Sequence, residues 1–130
     1  MHVRDPTPTD VDAIARLAGL SATAAERLLQ ERTVRLAGPE DGDPRAFVSF
    51  DATTDTVQLT RIAGDPSAYP SLIAEIVHFA NESGMPVETV VPEDDEAVRP
   101  MLEDHDFERV AAGPRFDGRP TSVYRRQTEP

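Results

Sequence analysis

Arginine side chains gather in one stretch of this sequence. Arg115 and Arg119 flank Phe116, and Arg125 and Arg126 follow shortly after. A guanidinium group presents paired N–H donors that match a carboxylate or a phosphate. The spacing therefore predicts that Arg115 and Arg119 bind a small anionic ligand. The alternative is routine pairing of these arginines with the acidic residues around them.

A metal site is a second candidate, on one predicted helix. Glu75, His78 and Glu82 recur at i, i+3 and i+7, so two of them could share an ion. That helical face is otherwise polar, and no second helix carries the Glu-x-x-His pattern of paired-helix metal centres. Cysteine is absent, which removes thiolate ligands, thiol nucleophiles and disulfides. We therefore predict no metal cofactor.

The two tyrosines of the chain, Tyr69 and Tyr124, carry hydroxyls that can donate a proton. A tyrosine more often anchors packing through its ring while its hydroxyl reaches the surface. Both roles stay open for each of them on the sequence alone.

Eleven segments of periodic hydrophobicity must position these side chains. A short strand opens the order, and two helices and three antiparallel strands follow. The strongest helix begins at Pro70 and precedes a further strand. A helix that Pro100 must kink or shorten, and two last strands, complete the order. The predicted strands span residues 1–4, 33–37, 46–50, 56–62, 87–91, 107–111 and 121–126.

Two local details of these elements can be checked directly. Thr9 is the expected N-cap of the first helix, with Asp12 reaching back to it. In the strand 56–62, alternation is expected to place Val57, Leu59 and Arg61 on one face.

Charge and composition restrict the class of partner. One hundred and thirty residues predict a single domain, 1–130, with 24 acidic and 13 basic residues and a net charge of −11. Such a chain repels nucleic acid and anionic membranes, and no apolar run of signal or membrane-spanning length is present. A cytoplasmic protein is expected. Every basic residue is arginine, which favours a halophilic protein in concentrated salt; lysine-poor codon usage with an acidic partner-binding face is the alternative.

Three stretches of the sequence, taken with the order of elements, resemble the GNAT superfamily of acyl-CoA-dependent N-acyltransferases. Residues 3–17 are similar to its first strand and helix, and residues 59–66 to the end of its fourth strand. Asp106-Phe107-Glu108 stands where the family usually has Gly-Phe-Glu. The resemblance implies an α+β fold with a mixed, mostly antiparallel sheet of six to seven strands and about four helices. It also implies acyl transfer from acetyl-CoA to an amine on a small molecule or protein.

The resemblance assigns site residues, and the sequence also departs from the family pattern. A glycine-rich loop that binds the coenzyme's pyrophosphate is replaced by residues 65–71, which contain two prolines and no glycine. The family's proton-donating tyrosine corresponds to Leu102. Glu88, on the fifth strand near where an amine substrate would lie, is the candidate base, and a strand-edge carboxylate in solvent is the alternative. Tyr124 is the candidate proton donor. The positions carried over for coenzyme binding are Ile62, Ala63, Gly64, Ser67 and Ser71.

Two functions from different classes are therefore predicted. The first is a GNAT-like N-acetyltransferase with an atypical coenzyme site. The second is a catalytically inactive GNAT-fold module that binds a small anionic metabolite or a protein partner. In the second case the ligand is expected between Arg115, Arg119 and the start of the Pro70 helix. A homodimer through the last strands is a further alternative.

Overall fold

Seven strands form one mixed sheet in the computed structural model, which describes residues 1–127. Neighbouring strands run in the order β1-β2-β3-β4-β5-β7-β6. Among the strands of residues 1–127, only β4 and β5 pair in parallel, and every other pair is antiparallel. The predicted α+β fold is thereby confirmed. The strands are β1 His2–Arg4, β2 Thr33–Gly38, β3 Ala46–Ala52, β4 Val57–Gly64, β5 Val87–Pro92, β6 Glu108–Ala112 and β7 Thr121–Arg126.

Four α-helices cover the two faces of the sheet. They are α1 Val11–Ala18, α2 Ala22–Glu31, α3 Tyr69–Glu82 and α4 Arg99–Asp104. Short 3-10 turns, Pro8–Asp10 and Pro66–Ala68, precede α1 and α3. No helix within residues 1–127 combines the length and the apolar composition needed to cross a membrane.

The start of the first helix lies elsewhere than the sequence predicted. Thr9 and Asp12 do not form the cap; Thr7 and Asp10 do, because the 3-10 turn inserts ahead of α1. The Asp10 carboxylate accepts a hydrogen bond from the Thr7 amide at 2.8 Å. It also accepts two from the Arg4 guanidinium, each at 2.9 Å. This bidentate pair ties β1 to the turn that begins the helical hairpin.

Hydrophobic residues form two clusters, one on each face of the sheet. The larger lies under α3 and α4, and the smaller lies under α1 and α2. Leu72, Ile73 and Ile76 of α3 are completely buried in the larger cluster, as their spacing predicted. The smaller cluster consists of Ile14, Ala25, Val34, Leu36 and Phe47.

Candidate functional site

Strands β4 and β5 separate partway along their length. They pair in parallel only from Val57 opposite Val87 to Leu59 opposite Thr89. At the last paired position the Thr89 hydroxyl donates to the Leu59 carbonyl oxygen at 3.1 Å, so this carbonyl is satisfied without a further strand bond. Beyond that point no pair joins the two strands, although β4 continues to Gly64 and β5 to Pro92.

A β-bulge lies on β4 where the strands separate. Ser49 of β3 pairs with Arg61, whereas the next residue, Phe50, pairs with Leu59, so Thr60 is the extra residue. The bulge shifts the alternation by one position. The prediction that Arg61 shares a face with Val57 and Leu59 was therefore wrong: Arg61 lies with Ser49 on the face that α1 and α2 cover.

The turn from β4 to α3 has no free amide donors from residue 65 to residue 70. The Asp65 amide donates to the Arg45 carbonyl oxygen at 2.9 Å, and the Ala68 amide donates to the Asp65 carbonyl oxygen at 3.0 Å. The Ser67 amide donates to the Asp65 carboxylate at 3.0 Å. The Tyr69 amide donates to the Pro66 carbonyl oxygen, and positions 66 and 70 are prolines. A pyrophosphate would find no backbone donor here.

Negative charge is also fixed in this turn. The hydrogen bond from the Ser67 amide holds the pKa of the exposed Asp65 carboxyl below its usual value, so the group is ionised at neutral pH. An ionised carboxylate at the start of α3 repels phosphate groups. Together with the engaged amides, it shows that residues 65–70 do not fit the pyrophosphate of coenzyme A.

The side chain of Tyr69 fills space at the carboxyl end of β4. It is 6% exposed and belongs to the same core cluster as Val91 and Val98. Its hydroxyl donates to the Gly64 carbonyl oxygen at 3.2 Å. Burial raises the pKa of the phenol, and the negative charges of Asp95 and Asp65 raise it further. The phenol thus lies near the segments that follow both β4 and β5.

The two predicted catalytic residues lie on opposite faces of the sheet. Glu88 of β5 faces Arg125 of β7, with the two side chains 3.4 Å apart in an ion pair. Tyr124 is buried, and its hydroxyl donates to the Glu103 carboxylate at 3.3 Å. Leu102 is buried in the larger core cluster and has no proton to donate. The structure does not bring Glu88 and Tyr124 together.

The other predicted site residues are dispersed. Arg119 pairs with Asp94 at 2.6 Å, and Arg115 donates to the Gly118 carbonyl oxygen at 3.0 Å. The Ser71 hydroxyl lies 3.4 Å from the amino group of Met1. Ile62 packs against the larger core cluster and Ala63 against the smaller one. Ligand binding by these residues stays a prediction.

The candidate metal ligands on α3 are Glu75, His78 and Glu82. His78 lies 3.2 Å from Glu82 on the exposed surface of α3. Within residues 1–127, no three histidine, aspartate or glutamate side chains come together as a metal centre would need.

An open cavity of about 320 Å³ lies between α2 and strands β3 and β4. Its floor contains the Ser49 and Thr60 hydroxyls, whose oxygen atoms are 2.8 Å apart. Ser49 is completely buried, whereas Thr60 is exposed. We call this cavity the α2–β4 pocket. Its lining residues are Leu20, Ala24, Arg27, Leu28, Glu31, Arg32, Ser49, Thr60 and Arg61.

This pocket was not predicted from the sequence. Arg27 was not among the candidate residues, and Arg61 was predicted on the wrong face of β4. The two residues are far apart along the chain, and the bulge brings them to one cavity. A signal was nevertheless present, because Thr60 and Arg61 interrupt the apolar alternation of the strand.

No protein-family model and no curated protein matches this sequence. Solved structures do match it over nearly their whole length. An N-acetyltransferase from Staphylococcus aureus Mu50 is 14% identical, with 97% of each chain covered and a TM-score of 0.82. A ribosomal-protein-alanine N-acetyltransferase from Brucella melitensis is 13% identical, with 98% of this chain and 99% of that chain covered and a TM-score of 0.82.

A GNAT-family acetyltransferase from Bacillus cereus ATCC 10987 is 17% identical, with 99% of this chain and 98% of that chain covered and a TM-score of 0.75. This chain has the fold of the GNAT N-acetyltransferases.

Proposed function

We propose that this protein binds a small anionic molecule on a GNAT fold and does not transfer acyl groups from coenzyme A. The observation that carries the proposal is the turn from β4 to α3, where each amide from residue 65 to residue 70 is engaged or absent. The ionised Asp65 carboxylate adds repulsion to the missing donors.

The size of the expected effect follows from the donors that are missing. A hydrogen bond to a charged group contributes about 1.5 to 3 kcal/mol. Losing two or three of them weakens binding of a pyrophosphate by several orders of magnitude. We therefore expect acetyl-CoA to bind with a dissociation constant above about 1 mM.

Calorimetric titration of the full chain with acetyl-CoA in molar potassium chloride tests this expectation. The control ligand is acetyl-pantetheine, which carries the same thioester without the pyrophosphate. Equally weak binding of both ligands supports the proposal. Binding of acetyl-CoA more than tenfold tighter than acetyl-pantetheine contradicts it, because other residues would then hold the phosphates.

Acyl transfer from acetyl-CoA to an amine is the second candidate function. The full-length likeness to solved N-acetyltransferases supports it. In this case Glu88 is the base, while Tyr124, on the opposite face of the sheet, does not reach the same substrate.

The absence of cysteine makes this second candidate simple to test. Any thiol that appears during incubation with acetyl-CoA and a panel of amines comes from the coenzyme and not from the protein. No thiol release above the rate without protein supports the proposed function. Amine-dependent release that Glu88→Gln abolishes would establish acyl transfer instead.

A further inference from the structure

We propose that the α2–β4 pocket binds a small carboxylate with an apolar body, held by Arg27 and Arg61 over the hydroxyls of Ser49 and Thr60. This proposal rests on the proposed function, since it names the site and the chemical class of the anionic ligand. It moves the ligand away from Arg115 and Arg119, to the sheet face covered by α1 and α2.

The hydroxyl pair on the floor of the pocket has one hydrogen to spare. Ser49 and Thr60 carry one hydroxyl hydrogen each, and only one hydrogen is needed for the 2.8 Å bond between their oxygens. Neither side chain makes another hydrogen bond to residues 1–127. With Ser49 as the donor of this bond, the hydrogen of the exposed Thr60 hydroxyl is left for an acceptor in the pocket, and the completely buried Ser49 holds the Thr60 oxygen in place.

Two arginines line the pocket, one from α2 and one from β4, without a partner among residues 1–127. Arg27 lies on α2 and Arg61 on β4, and neither makes an ion pair or a hydrogen bond with any described residue. Other arginines of this acidic protein do pair with carboxylates, as Arg4 does with Asp10 and Arg125 with Glu88. Two unpaired guanidinium groups at one cavity favour an anion.

The acidic residues at the pocket do not cancel this charge. Arg32 also lines the cavity, but Asp51 neutralises it in an ion pair. Glu31 is the acidic residue in the lining, and it faces water. The lining with Asp51 thus keeps a net positive charge in a chain whose net charge is −11.

The apolar residues that line the pocket indicate what the uncharged part of the ligand is like. Leu20, Ala24 and Leu28 contribute apolar surface beside the arginines. A volume of about 320 Å³ is at the lower end of the range for small-molecule sites. A carboxylate with a short hydrocarbon chain matches both features, whereas inorganic phosphate would leave the apolar wall without a partner.

Hexanoate is a suitable probe for this site. The backbone amide resonances of ¹⁵N-labelled full-length protein can be followed during titration at constant potassium chloride. We expect saturable shifts centred on Thr60 and Arg61. Hexanamide has the same chain without the charge and is expected to bind at least tenfold more weakly, and inorganic phosphate is expected to bind more weakly than hexanoate.

Variants separate this site from general attraction to positive charge. Arg27→Gln and Arg61→Gln are each expected to weaken hexanoate binding about tenfold or more. The matched control is Arg16→Gln, which removes an exposed, unpaired arginine of α1 outside the pocket and should change nothing. Equal affinity of hexanoate and hexanamide, or unchanged binding in both pocket variants, would overturn the proposal. Tighter binding of phosphate than of hexanoate would contradict the inference that the ligand has an apolar body.

The acetyl-CoA titration keeps the two proposals separable. If acetyl-CoA binds tightly and hexanoate still needs Arg27 and Arg61, the proposed function fails and the pocket assignment stands. If neither acetyl-CoA nor hexanoate binds, the pocket assignment fails while the inference about the coenzyme remains.

Discussion

The Tyr69 hydroxyl donates a hydrogen bond to the Gly64 carbonyl oxygen at 3.2 Å, and this bond joins the start of α3 to the end of β4. It spans the turn formed by residues 65–68. Tyr69 was a possible proton donor on the sequence alone, but here the residue is buried and its hydroxyl is engaged in this bond. The contact is therefore expected to stabilise the fold, and its loss should lower the free energy of unfolding.

Replacing Tyr69 by phenylalanine tests the contribution of that hydrogen bond. The ring and its packing remain, so we expect Tyr69→Phe to lower the free energy of unfolding by about 1 kcal/mol. Tyr69→Ala removes the ring as well and should cost about 3 to 5 kcal/mol. Urea unfolding at constant salt measures both. Tyr124→Phe is the control, because its hydroxyl donates to the exposed Glu103; an equal loss in both phenylalanine variants would contradict a special role for the Gly64 bond.

At Gly64 the backbone of β4 lies so close to the backbone of β3 that there is no room for a side chain. Its φ is +117°, and a Cβ there would lie 2.3 Å from the Arg45 carbonyl oxygen and 2.6 Å from the Ala46 Cα. We expect Gly64→Ala to lower the free energy of unfolding by more than about 3 kcal/mol, since backbone strain and a backbone clash add.

Gly84 offers the matched control for this substitution. Its φ is +68°, but nothing lies within 4 Å of an added Cβ. Gly84→Ala therefore carries the conformational strain alone and should cost about 1 to 2 kcal/mol. Equal losses for the two variants in urea unfolding would show that the close approach at Gly64 is not a constraint.

Local sequence patterns predicted much of the fold because they depend on near neighbours. Ser21 is of a residue type that favours the N-cap position, and it caps α2 by accepting a hydrogen bond from the Ala24 amide at 3.1 Å. Pro100 was expected to kink or shorten the last helix, and α4 has only six residues, Arg99–Asp104. Such features follow from backbone chemistry within a few residues.

The candidate site was harder to predict because it depends on pairing between distant segments. One extra residue at Thr60 reverses the faces of β4, and only the register with β3 reveals it. The contact between Tyr69 and Gly64 likewise depends on where α3 begins. The pocket then forms from α2 and two strands, whose side chains have no common sequence pattern.

Asp10 makes stability depend on pH in the acid range. The hydrogen bonds from Arg4 are the largest cause that lowers the pKa of this carboxyl from 3.8 to about 2. A lower pKa in the folded state contributes stability that is complete above about pH 4 and is lost as the pH falls towards 2. This difference in pKa corresponds to a contribution of about 2 kcal/mol to the free energy of unfolding.

Comparison of the native chain with Asp10→Asn isolates this effect from the other acidic residues. We expect Asp10→Asn to be less stable by about 2 kcal/mol at pH 6, with the gap narrowing towards pH 2. Denaturant unfolding at several pH values measures it. Asp12→Asn is the control, since Asp12 is exposed on α1, and its curve should follow the native one. A gap that stays constant with pH would mean that the Arg4 pair does not depend on ionisation of Asp10.

Uncompensated negative charge should make stability depend on salt. The net charge is −11, and the Debye length falls from about 10 Å at 0.1 M salt to about 3 Å at 1 M. Repulsion between neighbouring carboxylates therefore continues to weaken well above 0.1 M. We expect the melting temperature to rise from 0.1 M to 2 M potassium chloride. A midpoint that is unchanged or falls would contradict the expected adaptation to concentrated salt.

The turn between β2 and β3 shows where this repulsion can be relieved. Glu40, Asp41 and Asp43 are exposed there, and their side chains have no partner among residues 1–127. Neutralising all three, as E40Q/D41N/D43N, changes the net charge from −11 to −8. Because no ion pair is lost, the variant should melt higher than the native chain at 0.1 M salt and should respond less to added salt.

A control variant removes the same charge from carboxylates that are already paired. Asp51, Asp94 and Glu96 form ion pairs with Arg32, Arg119 and Arg99. In D51N/D94N/E96Q the relief of repulsion is offset by three lost pairs, each contributing up to about 1 kcal/mol, so the melting temperature at 0.1 M salt should not rise. Equal behaviour of the two triple variants in thermal melts would show that net charge alone, and not the arrangement of unpaired carboxylates, sets the response to salt.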